Sequence, residues 1–458
     1  MNSSVRNLLM LSAVGTLSIG LSASSEEPKK FPQGFDWCVA TAGHQIEGDD
    51  TNGDWWDWEQ VPGNIERGER SGKACDSYHR TERDLSVLEQ LHTTAYRFSI
   101  EWSRIEPEQG TLDEEAIEHY RSFIEQLGRR GIRPIITLQH FVMPRWLRKL
   151  GGWEWSGTPG AFGKFARLVR ERIAPQARDF VTVNEPMVNV LGGYYLGNVP
   201  PGEKRAMKDV APVLVGLLRA HAAAYRALHS GEGGDQVRVG MAHHLRVFSA
   251  ERALNPLDHL VAHWMDGAWN WALPDALETG VLKVSIPGVI HEVREVPEAK
   301  GTQDYVGINY YTREKVNAGV MIRAGTGHPT AADSERVARM YLPANWEVYP
   351  QGLEELLLAA HKRYNGKPTL ITENGVDDAK DVKRPDYLRG HLEAVHRAIE
   401  KGVDVRGYCH WSMADNFEWI HGFTPRFGLF ETDYNTYELK PRASAALFSR
   451  FATENALR

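Results

Sequence analysis

The stretch that decides the fold is AYRFSIEWSRIEPEQGTLDEEAIEHYRSFIEQLGRRGIRPIITL, residues 95–138. Its two ends, 95–100 and 133–138, are short runs of mainly apolar residues, the form expected of strands buried on both faces. Between them, residues 113–130 carry apolar side chains at helical spacing, and Gly131 follows where a helix would stop. A strand, a helix and a second strand in this order predict a parallel pair joined by a crossover helix.

The same unit recurs along the chain. Eight strand-like runs are found, at Asp36–Thr41, Ala95–Ile100, Arg133–Leu138, Asp179–Val183, Val237–Ala242, Tyr305–Asn309, Thr369–Thr372 and Gly407–His410. Further helical patterns cover Gly352–Tyr364 and Tyr387–Glu400. Eight strands alternating with helices predict an α/β fold, a single (β/α)8 TIM barrel with long βα loops over residues 31–452. An open doubly wound sheet is disfavoured, because no glycine-rich phosphate loop follows the first strand.

The composition limits the function classes. The 458 residues are 42% hydrophobic and 25% charged, with a formal net charge of -7. A mildly acidic chain without a broad basic face is a poor candidate for nucleic-acid binding. The three cysteines form no C-x-x-C pair, and their odd number leaves at least one free thiol. Buried, inert thiols are therefore expected.

The N-terminus has the pattern of an export signal. Arg6 precedes an apolar run from Leu8 to Leu21, and small residues follow at 22–25. This order predicts a signal peptide over residues 1–25 and a secreted or periplasmic protein, with a cytoplasmic extension as the alternative. No later stretch is apolar for 18 residues, so no membrane span is predicted in the mature chain.

Most of the predicted strands lead into polar or aromatic residues. These include Gln45, Arg97, His140, Asn184, Glu185, Asn309, Tyr311, Glu373 and Trp411. Taken alone, Glu185 before a proline and Glu373 before Asn-Gly could each simply end a strand. In a parallel barrel, however, all these strand ends meet at the rim where active sites form. Glycoside hydrolysis uses two carboxyl groups that face one pocket.

Six segments make the pattern specific. They are ATA (40–42) leading to QIEG (45–48), YRFSIEWSRI (96–105), TVNEP (182–186), INYY (308–311), ITENG (371–375) and WSMADNFEW (411–419). In this order and spacing, the chain resembles glycoside hydrolase family one, the β-glucosidase family. The resemblance runs from about Phe31 to Phe448.

The resemblance implies a role for each matching residue. Glu185 would be the acid/base and Glu373 the nucleophile of a retaining β-glycosidase that acts on terminal β-D-glucosyl residues, and also on β-galactosyl or β-fucosyl residues. Arg97, Asn309 and Tyr311 would hold Glu373. The sugar would be bound by Gln45, His140, Asn184, Trp411, Glu418 and Trp419, and Trp346 would line the site for the leaving group. The expected partner is a small β-glucoside or oligosaccharide, and no metal or organic cofactor is expected.

Two further expectations concern the pair of glutamates. Their carboxyls should lie about 5–5.5 Å apart, because a wider gap would admit water for direct, inverting attack. Mutual repulsion should raise the pKa of Glu185, while Arg97 keeps Glu373 charged.

Three alternatives remain open at the level of sequence. A phospho-β-glycosidase of the same family is disfavoured by Glu418, which would repel a 6-phosphate. A thioglucosidase of the plant type is disfavoured because Glu185 is present. A catalytically inactive sugar-binding module would be expected to lose one of the two glutamates, and both are present.

Overall fold

The computed structural model describes residues 27–340 and 342–458, so the predicted signal peptide lies outside the described residues. Eight parallel strands form a closed barrel. In chain order they are β1 (Asp36–Ala40), β2 (Ala95–Ser99), β3 (Arg133–Gln139), β4 (Asp179–Asn184), β5 (Arg238–Ala250), β6 (Val306–Val316), β7 (Thr369–Asn374) and β8 (Val405–Trp411). Each strand pairs with its neighbour in the chain, and β8 returns to pair with β1. The predicted (β/α)8 barrel is confirmed.

Helices connect the strands and surround the barrel. The α-helical segments are Gly43–Ile46, Asp54–Glu59, Thr81–Gln90, Trp102–Ile105, Glu114–Arg129, Arg145–Lys149, Thr158–Leu168, Pro186–Val190, Ala211–Leu228, Pro256–Met265, Ala272–Thr279, Ala318–Gly325, Ala331–Met340, Pro350–Arg363, Arg384–Glu400 and Ala443–Glu454. Among the described residues, none of these helices is both long and apolar enough to span a membrane.

The helix of the deciding stretch shows how local sequence fixes an element. Asp113 caps its first turn, since the carboxylate accepts a hydrogen bond from the Ala116 amide at 2.9 Å. The apolar stripe, including Ile117 and Leu127, is buried against the barrel, as its spacing predicted. The helix ends at Arg129, next to the predicted stop at Gly131, whose φ of +72° suits glycine.

Two strands run past the barrel wall. β5 and β6 remain paired from Ala242 and Gly307 as far as Ala250 and Val316. This extension was not expected, because the predicted strands ended at Ala242 and Asn309. Because β5 and β6 continue beyond the barrel, some of their side chains lie above the barrel mouth, next to the end of β4.

The cysteines depart in part from the expectation of buried, inert thiols. Cys38 on β1 and Cys409 on β8 are directly opposite in the strand register and are joined by a disulfide. Sequence spacing could not reveal this, since 371 positions separate them and only barrel closure makes the strands neighbours. Cys75 is free and buried, and burial raises the pKa of its thiol to about 12.

Candidate active site

Glu185 sits at a sharp corner directly after β4. Its backbone is left-handed, with a φ of +42°, and Pro186 begins the next helix. The Glu185 amide donates to the carbonyl of Ala242 on β5 at 2.8 Å, which holds the corner in place. Non-glycine residues in this conformation are strained and concentrate at functional sites. The corner leaves the carboxyl at the barrel mouth, where it lines a cavity.

Glu373 lies near the end of β7 and is held at both carboxylate oxygens. Arg97 Nη1 donates to Oε1 at 2.5 Å, and the Tyr311 hydroxyl donates to Oε2 at 2.6 Å. Arg97 is fully buried and also donates to the carbonyl of Thr372 at 3.0 Å. A charge-assisted contact to a buried guanidinium fixes the carboxyl group in one orientation. The predicted roles of Arg97 and Tyr311 beside Glu373 agree with these contacts.

A chain of amides joins the two glutamates. Arg97 Nη2 donates to Asn184 Oδ1 at 2.7 Å, and Asn309 Nδ2 donates to the same oxygen at 3.1 Å. Asn309 Nδ2 also donates to Glu185 Oε1 at 2.9 Å. The prediction that Asn309 holds Glu373 is therefore corrected, because its amide contacts Glu185 instead. The cause is Thr372 on β7, whose hydroxyl donates to Asn309 Oδ1 at 2.5 Å and turns the amide nitrogen toward β4.

Both glutamates face one cavity at the C-terminal rim of the barrel, with about 1050 Å³ of space when its open mouth is included. Nine of the predicted site residues form its wall: His140, Asn184, Glu185, Tyr311, Trp346, Glu373, Trp411, Glu418 and Trp419. The other three, Gln45, Arg97 and Asn309, lie behind the wall and hydrogen-bond to Glu418, Glu373 and Glu185 respectively. The twelve residues predicted from the sequence therefore lie close together in the structure.

Aromatic rings form one side of the cavity. His140 stacks on Trp411, with ring centroids 5.6 Å apart, and on Trp419, with centroids 6.0 Å apart. Its Nε2 lies 3.0 Å from the Asn184 amide nitrogen and accepts that hydrogen bond. Burial and the charge on Arg97 hold the pKa of His140 well below its usual range, so the ring is neutral. Flat apolar faces with a few polar atoms suit a sugar ring.

A third carboxyl, Glu418, faces the same space. Gln45 Nε2 donates to Glu418 Oε2 at 3.2 Å, and to the Asn416 side chain and the Phe417 carbonyl behind it. Burial, with the charges on Glu373 and Glu185, raises the pKa of Glu418 to about 8. Gln45 Oε1 is buried without a hydrogen-bond partner among the described residues. The Glu418 carboxyl therefore faces the cavity with oxygen atoms that can bind hydroxyl groups.

Sequence reasoning missed His244 and Arg246. His244 Nδ1 lies 3.2 Å from Glu185 Oε2, and Arg246 Nε donates to His244 Nε2 at 3.1 Å. Because an arginine can only donate, His244 Nε2 accepts, and Nδ1 carries the proton that is donated to Glu185. The sequence contained a signal for these residues. His243 and His244 directly follow the predicted strand Val237–Ala242, and no role was assigned to the end of that strand.

These contacts reverse the predicted division of charge. Burial raises the pKa of Glu185, but His244 and Asn309 more than offset this, so its pKa lies below its usual value. Burial and the charge on Glu185 raise the pKa of Glu373 to about 7, against the opposing effect of Arg97. The expected rise in the pKa of Glu185 is therefore contradicted, and the pKa of Glu373 is raised although Arg97 favours its charged form.

The chain is similar in sequence to known proteins over nearly its whole length. The model of the family described as glycosyl hydrolase family 1 matches residues 27–457. A 1,4-beta-D-glucan glucohydrolase from Thermotoga neapolitana is 32% identical over 94% of this chain and 99% of its own. A beta-galactosidase from Pyrococcus woesei is 31% identical over 93% and 97%.

Solved structures agree in fold over nearly the whole chain. A beta-glycosidase from Pyrococcus horikoshii is 34% identical, with a TM-score of 0.82 over 94% of this chain and 96% of that one. A beta-glucosidase from Thermotoga maritima, solved in complex with castanospermine, is 28% identical, with a TM-score of 0.83 over 94% and 100%.

Proposed function

The chain belongs to glycosyl hydrolase family 1, and we propose that it is a retaining β-glycosidase that releases terminal, non-reducing β-D-glucosyl residues. The observation that carries this proposal is the placement of Glu185 and Glu373 on one cavity, each held by its own donors and joined through Asn184 and Asn309. The relatives named for glucan or glucoside hydrolysis support glucose as the released sugar. The relative named as a galactosidase supports galactosides as additional substrates.

We propose a double displacement. In the first step, a carboxylate oxygen of Glu373 bonds to the anomeric carbon, and the bond to the leaving oxygen breaks as Glu185 gives that oxygen its proton. In the second step, Glu185 takes a proton from water, the water oxygen bonds to the anomeric carbon, and Glu373 departs as a carboxylate. Two inversions leave the sugar with its β configuration. This sequence requires the carboxyl separation of about 5–5.5 Å predicted above.

The contacts of Glu185 suit the second step. Once Glu373 is esterified, its charge is lost, and Glu185 must be ionised to accept a proton from water. The N–H groups of His244 and Asn309 stabilise that ionised form. The first step needs the opposite state, with the proton on Glu185. The pair therefore titrates as a unit, and the active fraction of free enzyme is the part in which Glu185 holds the shared proton.

Replacing His244 by leucine is expected to raise the pKa of Glu185 in the glycosyl-enzyme. A hydrogen bond to a charged group is worth about 1.5–3 kcal/mol, which corresponds to a shift of roughly one to two pH units. With 2,4-dinitrophenyl β-glucoside, whose good leaving group makes the second step limiting, the acid limb of the kcat profile should move upward. His244→Gln keeps an N–H donor and should move it less. An acid limb that is identical in wild type and H244L would show that the contact does not act on Glu185.

The sugar preference is tested with p-nitrophenyl β-glycosides. We expect kcat/KM to be highest for the glucoside and about 5- to 150-fold lower for the galactoside and fucoside, since a small group difference in one pocket is worth about 1–3 kcal/mol. The 6-phosphoglucoside should be cleaved at least about 100-fold more slowly, because its charge would join the buried carboxyls of Glu185 and Glu373 and the half-buried carboxyl of Glu418. Preference for the phosphorylated substrate would favour the phospho-β-glycosidase alternative, and binding without turnover would favour an inactive module.

We also propose that the protein is exported. The N-terminal pattern of residues 1–25 supports this, and so does the Cys38–Cys409 disulfide, because disulfides persist in oxidising compartments. Intact-mass measurement of the protein from its native cells should show loss of the first 20–30 residues or so. Recovery of the full-length chain from the cytosol would contradict export.

A further inference from the structure

A second cavity adjoins the active site and shares its wall. It has about 1130 Å³ of space, its open mouth included. Four residues line both cavities: Leu191, Leu196, Arg246 and Trp269. We call the second cavity the side chamber. Its other walls come from the long β5 strand, the helices Pro256–Met265, Ala318–Gly325 and Ala331–Met340, and the hairpin of Val281–Ile286 with Ile290–Glu295.

The lining of the side chamber is apolar and adaptable. Five of the chain's ten methionines face it: Met187, Met207, Met265, Met321 and Met340. Phe248, Trp264 and Val289 are also in the wall. Methionine side chains are flexible and polarisable, so such a surface fits apolar groups of varied shape. An apolar space of this size beside a polar sugar site is suited to the apolar part of an amphiphilic ligand.

The shared wall lies on the side where the leaving group must be. Glu185 protonates the leaving oxygen, so the aglycone sits beside Glu185. His244 contacts Glu185, Arg246 contacts His244, and Trp269 Nε1 donates to the His244 carbonyl at 2.7 Å. The chamber therefore begins two contacts beyond the acid/base, whereas Glu418 and Trp411 line the active-site cavity and not the chamber.

Resting on the proposed function, we propose that the side chamber receives the aglycone, and that the preferred substrates are β-glycosides of long-chain alcohols or comparably extended apolar aglycones. The sugar remains in the polar cavity, and the chain passes Leu191 and Trp269 into the side chamber. Short polar aglycones, such as a second sugar, would leave the chamber unused.

The test is a series of n-alkyl β-D-glucosides from methyl to decyl, assayed below micelle-forming concentrations. The leaving alcohols differ little in acidity, so the chemistry is matched along the series. Complete burial of a methylene would raise kcat/KM about fourfold, and we expect at least about twofold per carbon, hence roughly 100-fold or more from methyl to octyl. An equal kcat/KM for methyl and octyl glucosides would overturn the proposal. Absence of hydrolysis for all β-glucosides would instead refute the proposed function.

Two variants locate the effect. Val289→Asp places a charge in the chamber wall, and Met321→Trp fills its space; neither residue lines the active-site cavity. Each should lower the octyl-to-methyl ratio of kcat/KM at least about tenfold while methyl glucoside, an internal measure of folding and chemistry, is cleaved as in wild type. Val382→Asp, at a position that is 72% exposed and in neither cavity, is the matched control. An unchanged ratio in both chamber variants would show that the alkyl chain binds elsewhere.

Discussion

Replacing Glu373 by alanine is expected to lower kcat for an aryl β-glucoside by about 10⁴-fold or more, the scale of loss when a covalent enzyme is deprived of its nucleophile. Among the described residues, Glu373 is the carboxyl to which Arg97 and Tyr311 both donate, so no second carboxylate is held at this position. The loss should appear in kcat with little change in KM, because the rest of the cavity wall, including Glu418 and Trp411, is unchanged. Steady-state kinetics with p-nitrophenyl β-glucoside measure both quantities.

Azide should then restore turnover of Glu373→Ala. The small anion fits the space of the missing carboxylate and attacks the anomeric carbon directly, so a single inversion gives the α-glucosyl azide. Glu354→Ala is the matched control, because Glu354 is paired with Arg397 and Lys401 on the outer helices. That variant should keep its activity and show no response to azide. Formation of β-azide by E373A would contradict the assignment of the nucleophile.

Replacing Glu185 by alanine is the second large effect. Loss of a general acid/base costs about 10²–10⁴-fold, and the loss should depend on the leaving group. A 2,4-dinitrophenyl glucoside needs no proton, so its first step should survive and the glycosyl-enzyme should accumulate. An alkyl glucoside needs the proton and should show the full loss. Burst kinetics and intact-protein mass spectrometry separate these two cases.

The rescue product distinguishes this variant from the first. In Glu185→Ala, azide should attack the accumulated intermediate from the face that Glu185 occupied. Two inversions then give the β-glucosyl azide. If E185A gave α-azide and E373A gave β-azide, the roles of the two residues would be exchanged. If neither variant responded to azide and both kept wild-type activity, this cavity would not be the catalytic site.

The barrel could be predicted because each strand and helix carries its own periodic pattern. Asp179–Val183 and Thr369–Thr372 are short apolar runs, and the structure extends them only by one and two residues respectively. Placement at the rim then follows from parallel topology alone, so strand ends such as Asn184 and Glu373 meet without any knowledge of loops. This is why nine of twelve predicted residues line one cavity.

What could not be predicted depends on side-chain direction and on distant pairing. The sequence predicted that Asn309 holds Glu373, but the hydrogen bond from Thr372 turns its amide toward Glu185. The charge state of Glu185 follows from His244, whose tautomer is fixed in turn by Arg246. The side chamber arises from a hairpin and helices whose packing has no short sequence signature.

The central claim is that Glu185 and Glu373 act in two successive displacements at one carbon. Proton NMR of the hydrolysis of an aryl β-glucoside tests it most directly, because the anomeric signal of the first glucose formed can be read before mutarotation. The proposed mechanism predicts that the β anomer appears first. Initial release of the α anomer would contradict it and would require water to attack the anomeric carbon directly.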